Sequence, residues 1–113
     1  KGILTGKLFS LMPKNSTFIN TGRGAQVLEN ELCKVLYSRE DITALLDVTD
    51  PEPPLEDHPF YHLKNCFLTP HIAGSSGNET QRMGQYMVNA YSSFIKNEKV
   101  ACEVTLKMLE TMA

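Results

Sequence analysis

An α/β fold is predicted here, a parallel sheet with helices packed against it. Two features of the sequence carry that prediction. Short apolar runs and amphipathic segments alternate, in the order helix, strand, helix, strand, long loop, strand, long helix. Two of the three strand runs are also nearly continuous in apolar residues, which is how strands covered on both faces read. Three short strands are fewer than a complete doubly wound domain holds. The 113 residues, which do not begin with Met, therefore read as the closing portion of such a domain.

Taken in order, "GKLFSLM" at 6–12 sets Leu8, Leu11 and Met12 at helical spacing and is stopped by Pro13, Lys14 and Asn15. "STFIN" at 16–20 is a short β-rich run ending at the glycines of "TGRG". "VLENELCKVLYS" at 27–38 puts Leu28, Leu32, Val35 and Leu36 on one helical face. "DITALLDV" at 41–48 and "NCFLTP" at 65–70 are the two continuous apolar strands. Between them runs "TDPEPPLEDHPFYHLKN", seventeen residues holding four of the six prolines. Loops of that length in a compact domain are usually functional or disordered. From residue 78, Met83, Met87, Ala90 and Phe94 mark a long amphipathic helix, with Asn78 as its expected N-cap and Gln81 completing a weak capping box. The tail reads as a short extended piece and a turn or two of helix.

Composition narrows the function. A formal net charge of −2 with scattered Lys and Arg gives no nucleic-acid face and no membrane-surface patch. No apolar run approaches the roughly 20 residues of a membrane-spanning helix, and the opening "KGILTGK" has no signal-peptide character. Cys33, Cys66 and Cys102 are odd in number and widely spaced, which argues against a disulfide framework or a metal site and for a reducing cytoplasm. Cys66 is expected to pack as a small buried hydrophobe.

Polar residues follow each strand closely. Arg23 comes after the first, Asp47 and Glu52 at and after the second, and His71 after the third. A parallel sheet gathers the carboxyl ends of its strands at one edge, where such sheets bind ligands, so these four should converge. Taken singly, each has an ordinary reading: Arg23 a solvated turn residue, Asp47 a turn cap, Glu52 an exposed loop acid, His71 a structural imidazole. His58 and His62 are given no functional role. Together the four suit a small anionic substrate. Arg offers a planar fork for a carboxylate, and a Glu beside a His favours the imidazolium, raising it above the reference of about 6.5 for proton transfer. Gly22 and Gly24 flank Arg23 and would let a ligand approach the backbone.

"INTGRG", "LLDVTDPEP" and "LTPHIAGSS" are similar, in order and spacing, to three consecutive signature segments of the D-isomer-specific 2-hydroxyacid dehydrogenases, and the resemblance extends over nearly the whole chain. It implies the C-terminal part of a Rossmann-type NAD(P)-binding domain over 1–77. Residues 78–113 would be a crossover helix and tail returning to the substrate domain. It implies NAD or NADP, NAD favoured, as cofactor, and a 2-keto or 2-hydroxy acid of the hydroxypyruvate, glyoxylate or phosphoglycerate type as substrate. A missing N-terminal part of the same chain is implied as well, and a homodimer of the full enzyme. Arg23 would anchor the substrate, His71 would be the acid–base and Glu52 its partner. Asp47 would contact the nicotinamide amide, and Thr21, Gly22, Ala73 and Gly74 would line the nicotinamide end together with Arg23 and His71.

The sequence also departs from the family pattern. The GxGxxG fingerprint is absent, and Leu28 stands where Asp is frequent, leaving that helix start to find another acceptor. Glu52 disfavours the related formate dehydrogenases, which carry Gln there. Two alternatives remain: a dinucleotide-binding corepressor-like module, whose relatives share Arg, Glu and His, and an inactive fragment of such an enzyme.

Overall fold

The computed structural model describes residues 1–74 and 76–110, which fall into two compact units, Lys1–Gly74 and Ser75–Ala113. The first unit runs α1 (Gly6–Ser10), β1 (Thr17–Asn20), α2 (Glu29–Ser38), β2 (Thr43–Leu46) and β3 (Cys66–Leu68). The second holds α3 (Asn78–Ile95) and α4 (Leu106–Leu109). Every predicted element of the first unit is present in the predicted order.

The three strands form one parallel sheet in the order β1-β2-β3. Asn20 pairs with Leu46 and Leu46 with Leu68, so all three strands end at the same level. The inward face carries Phe18, Ala44, Leu46, Cys66 and Leu68, packed with Phe9 of α1, with Leu32, Val35 and Leu36 of α2, and with Ile42. Parallel strands are usually joined by a helical crossover. β2 and β3 are joined instead by the proline-rich loop, which contains only a 3₁₀ turn at Pro59–Tyr61. Phe60 in that turn is fully buried and takes the place in the core that a crossover helix would otherwise fill. Removing it would leave a cavity costing about 3–5 kcal/mol.

Asn65 closes the other end of the core. Its amide nitrogen lies within hydrogen-bond distance of the carbonyls of Leu36 (3.0 Å), Arg39 (3.1 Å) and Ile42 (2.8 Å), so its two hydrogens are shared among acceptors between the end of α2 and the start of β2.

Three expectations are corrected. β2 is covered on one face only, because Ile19, Leu45 and Phe67 stand in register across the opposite face and are all exposed. The continuous apolar run therefore records a face that no residue of this unit covers. Leu28 is not part of the buried face of α2. It is the uncapped residue before the helix and is exposed, while Cys33 joins Leu32, Val35 and Leu36 inside. Asn78 does not cap α3, because Gly77 occupies that position at φ +55° and Asn78 is already helical.

In the second unit α3 carries its apolar residues in the predicted phase, and none of them is buried. Thr105 caps α4, its hydroxyl accepting from the Met108 N–H at 3.4 Å. Among the described residues no helix is long and apolar enough to cross a membrane.

Candidate functional site

The site lies within the first unit, at the carboxyl edge of the sheet. β1 ends in Asn20, whose side chain is buried and shapes the turn beyond it. Its Oδ1 accepts from the Gly22 N–H (3.1 Å), and its Nδ2 donates to the Arg23 carbonyl (3.2 Å). Asn is well suited to folding a chain back on itself in this way. Arg23 is thereby presented in extended conformation with its side chain exposed, donating to the Gly22 carbonyl at 2.9 Å. The following residue must be glycine for an internal reason. A Cβ on Gly24 would stand 2.1 Å from the Thr49 backbone carbon, so this close approach serves the packing of two loops rather than a ligand. At Gly22 a Cβ would make only ordinary contacts, and at Gly74 it would meet nothing within 4 Å. Thr21, Gly22, Ala73 and Gly74 are all exposed.

Asp47, the residue directly after β2, is buried. Its main-chain carbonyl accepts from the His71 N–H (3.0 Å). Its carboxylate accepts from the Thr69 hydroxyl (2.5 Å) and the Ile72 N–H (2.9 Å) at Oδ1, and from the Ala73 N–H (2.8 Å) at Oδ2. These donors, the Thr69 hydroxyl foremost, hold the carboxyl below the usual range against the opposing effect of burial. Asp47 therefore organises the loop after β3, 22 to 26 residues away, rather than capping its own turn. A carboxylate has about four acceptor positions. With three engaged, Oδ2 retains room for one more donor, which is what a carboxamide N–H would need.

His71 sits in that loop at φ +52°, in the left-handed region that costs a non-glycine residue free energy. The four bonds to Asp47, on both sides of His71 and at it, offset that cost. The result is an imidazole turned toward the proline-rich loop, with Nδ1 2.6 Å from Oε1 of Glu52. A carboxylate only accepts, so Nδ1 carries the hydrogen and Nε2 is the nitrogen left for other partners. The pair stays open, with His71 47% and Glu52 40% exposed. Beside it is a cavity of about 310 Å³ lined by Leu46, Asp47, Thr49, Glu52, Leu68 and His71 among others.

The structure thus brings Asp47, Glu52 and His71 together and places Arg23 at the same strand edge, outside their hydrogen bonds. Sequence reasoning missed Asn20 and Thr69, which shape the two loops. An Asn closing a strand before a glycine-rich turn is a legible signal for the first; nothing local marks the second. It also missed His58, whose Nε2 lies 3.7 Å from Oε2 of Glu29 behind the loop. Among the described residues no cluster of His, Cys, Asp and Glu is arranged to hold a metal ion.

The family model for the NAD binding domain of D-isomer specific 2-hydroxyacid dehydrogenases matches residues 1–73, which include every site residue except Gly74. The human glyoxylate reductase/hydroxypyruvate reductase is 32% identical over 106 residues, 94% of this chain and 32% of that protein. Glyoxylate/hydroxypyruvate reductase B of Cronobacter sakazakii is 45% identical over 73 residues, 65% of this chain and 22% of that protein. Among solved structures, a D-isomer specific 2-hydroxyacid dehydrogenase from Xanthobacter autotrophicus Py2, in complex with NADPH and MES, superposes with a TM-score of 0.81 at 27% identity. That match covers 96% of this chain and 44% of the other. The chain spans no more than about a third of the length of these two curated relatives.

Proposed function

The chain belongs to the D-isomer-specific 2-hydroxyacid dehydrogenase family, and from that premise we propose that it contributes the acid–base half of an NAD(P)-dependent site that interconverts a 2-keto acid and its D-2-hydroxy acid. The names of the relatives make glyoxylate and hydroxypyruvate the first substrates to consider. The observation that carries the reading is the Glu52–His71 pair, joined through Nδ1 and held open at the strand edge.

In the reducing direction His71 gives the proton on Nε2 to the substrate carbonyl oxygen. Glu52 accepts from Nδ1–H throughout and fixes the ring so that Nε2 faces the substrate oxygen. A bound nicotinamide would supply the hydride to the carbonyl carbon. The carbonyl π bond is replaced by one C–H and one O–H bond while the C–O single bond remains, and the imidazole is left neutral. In the reverse direction neutral His71 takes the hydroxyl proton. Arg23 pairs with the substrate carboxylate, which directs the carbonyl toward His71.

The residues fit a nicotinamide on this structure's own terms. Oδ2 of Asp47 has an acceptor position to spare, Gly74 opens on free space, and the exposed backbone of Thr21, Gly22 and Ala73 leaves the approach clear. NAD is the favoured form by family resemblance. Three free thiols suit a cytoplasmic setting.

The test is turnover by the protein carrying this sequence on glyoxylate, hydroxypyruvate, pyruvate and 3-phosphohydroxypyruvate with NADH and NADPH. His71→Ala should lower kcat at least about 100-fold. An unchanged kcat overturns the role given to His71. Cofactor-dependent assembly without turnover on any of the four acids would favour a binding module instead.

A further inference from the structure

Glu52 reaches His71 from a loop rich in prolines, and its carboxylate does not fix that loop by itself. Thr49 Oγ1, donating to the Pro51 carbonyl (2.9 Å), and Lys1, paired with Asp50 (2.7 Å), hold its start, and a further hold lies on its far side. Glu29, the first residue of α2, lies against the protein with only 9% of its side chain exposed. Its Oε1 accepts from the Asp50 N–H at 2.8 Å, two residues before Glu52. Its Oε2 faces Nε2 of His58, six residues after Glu52, at 3.7 Å. The other ring nitrogen of His58 accepts from the Phe60 N–H (3.3 Å), and the His58 N–H donates to the Leu55 carbonyl (2.9 Å). A neutral His58 therefore carries its hydrogen on Nε2, directed at Glu29. One carboxylate thus touches both ends of the segment 50–58.

We propose that Glu29 is a positioning residue for the acid–base pair: by gripping Asp50 and His58 it sets the loop so that Glu52 meets Nδ1 of His71. The idea rests on the reading of Glu52 as the partner of His71 and adds the residue that places it. Burial raises the Glu29 carboxyl and lowers the His58 imidazole, so the contact is read from its geometry, an Nε2–H of neutral His58 facing the carboxylate. The N-terminus of α2 favours a carboxylate at this position as well.

The test reads the tautomer of neutral His71 by long-range ¹H–¹⁵N correlation, in the protein labelled at histidine. Wild type should show the Nδ1–H form, and Glu52→Ala defines the signature of a ring without its partner. Glu29→Ala, and Glu29→Asp, which keeps the charge but shortens the reach, should both move His71 toward that signature. Glu29→Gln, which still accepts from Asp50, should keep the wild-type form. Phe60→Leu, a core change, should lower Tm without moving the tautomer, separating positioning from general loosening. If Glu29→Ala does not fold, Glu29→Asp carries the same expectation. A wild-type tautomer in every folded Glu29 variant, with Glu52→Ala shifted, overturns the positioning role alone. An unshifted Glu52→Ala overturns the pairing and this proposal with it.

Discussion

The proline-rich loop gives one partner to each of two glutamate–histidine pairs, and the pairs differ in almost every respect except residue type. Glu52 and His71 lie 2.6 Å apart with nearly half of each side chain exposed. Glu29 and His58 lie 3.7 Å apart, with only 9% and 11% exposed. In the open pair the carboxylate holds Nδ1 and leaves Nε2 to meet a solute. In the closed pair a backbone N–H holds Nδ1 and the carboxylate faces Nε2, so neither nitrogen is left over. Two identical side-chain pairs can therefore serve opposite ends, and the deciding quantities are exposure and which ring nitrogen remains free.

The largest expected effect separates the two histidines. His71→Asn should lower kcat by about 10²–10⁴-fold while leaving Tm unchanged, because Asn tolerates the left-handed backbone that His71 adopts. His58→Asn should do the reverse, lowering Tm with the smaller loss of turnover. Equal losses of turnover at both positions would erase the distinction between the pairs.

The two glutamates should separate by stability. Glu29→Ala leaves the Asp50 N–H without its acceptor and should cost about 1–3 kcal/mol by urea denaturation. Glu52→Ala breaks an exposed pair and should cost only about 0–1 kcal/mol. Similar costs would mean that the closed pair is less structural than its burial implies.

A third expectation tests the closed side through pH. Burial, with the Glu29 charge adding to it, pushes the Cys33 thiol up to about 11; Cys66, raised by burial foremost, is pushed up to about 12, from an ordinary 9.0. Once unfolded, both thiols ionise from about 9.0, while the folded protein keeps their protons. Over that window the folded state binds more protons, so stability falls as pH rises from 9.0 toward 11. Cys33→Ala should flatten that slope. A slope unchanged in Cys33→Ala would place the alkaline loss elsewhere.

The smallest effect is a rate. Cys102 is exposed and Cys33 and Cys66 are buried, so a thiol reagent should label one cysteine quickly and the others only as the core opens. Two fast thiols would show that the closed side is looser than described.

Much of the fold follows from local pattern. The apolar runs at 16–20, 41–48 and 65–70 hold the three strands. The helix between the first two is the crossover that a parallel pair needs, and the third strand joins in parallel across the proline-rich loop. Parallel order alone then brings Arg23, Asp47, Glu52 and His71 to one edge, without any knowledge of their contacts. That much the residues determined by themselves, since periodicity and strand direction depend on neighbours a few positions apart. Tertiary structure decided what depends on distant neighbours. It bound Asp47 to the loop that carries His71 and made Gly24 obligatory by setting it against Thr49. It left Ile19, Leu45 and Phe67 bare on one face of the sheet. It also turned His58, which the sequence leaves without a role, into the closed counterpart of the Glu52–His71 pair. The reason is physical: a side chain's exposure and the partner of its last free atom are set by whichever segment packs against it, and that segment is 21 or more residues away in every one of these contacts.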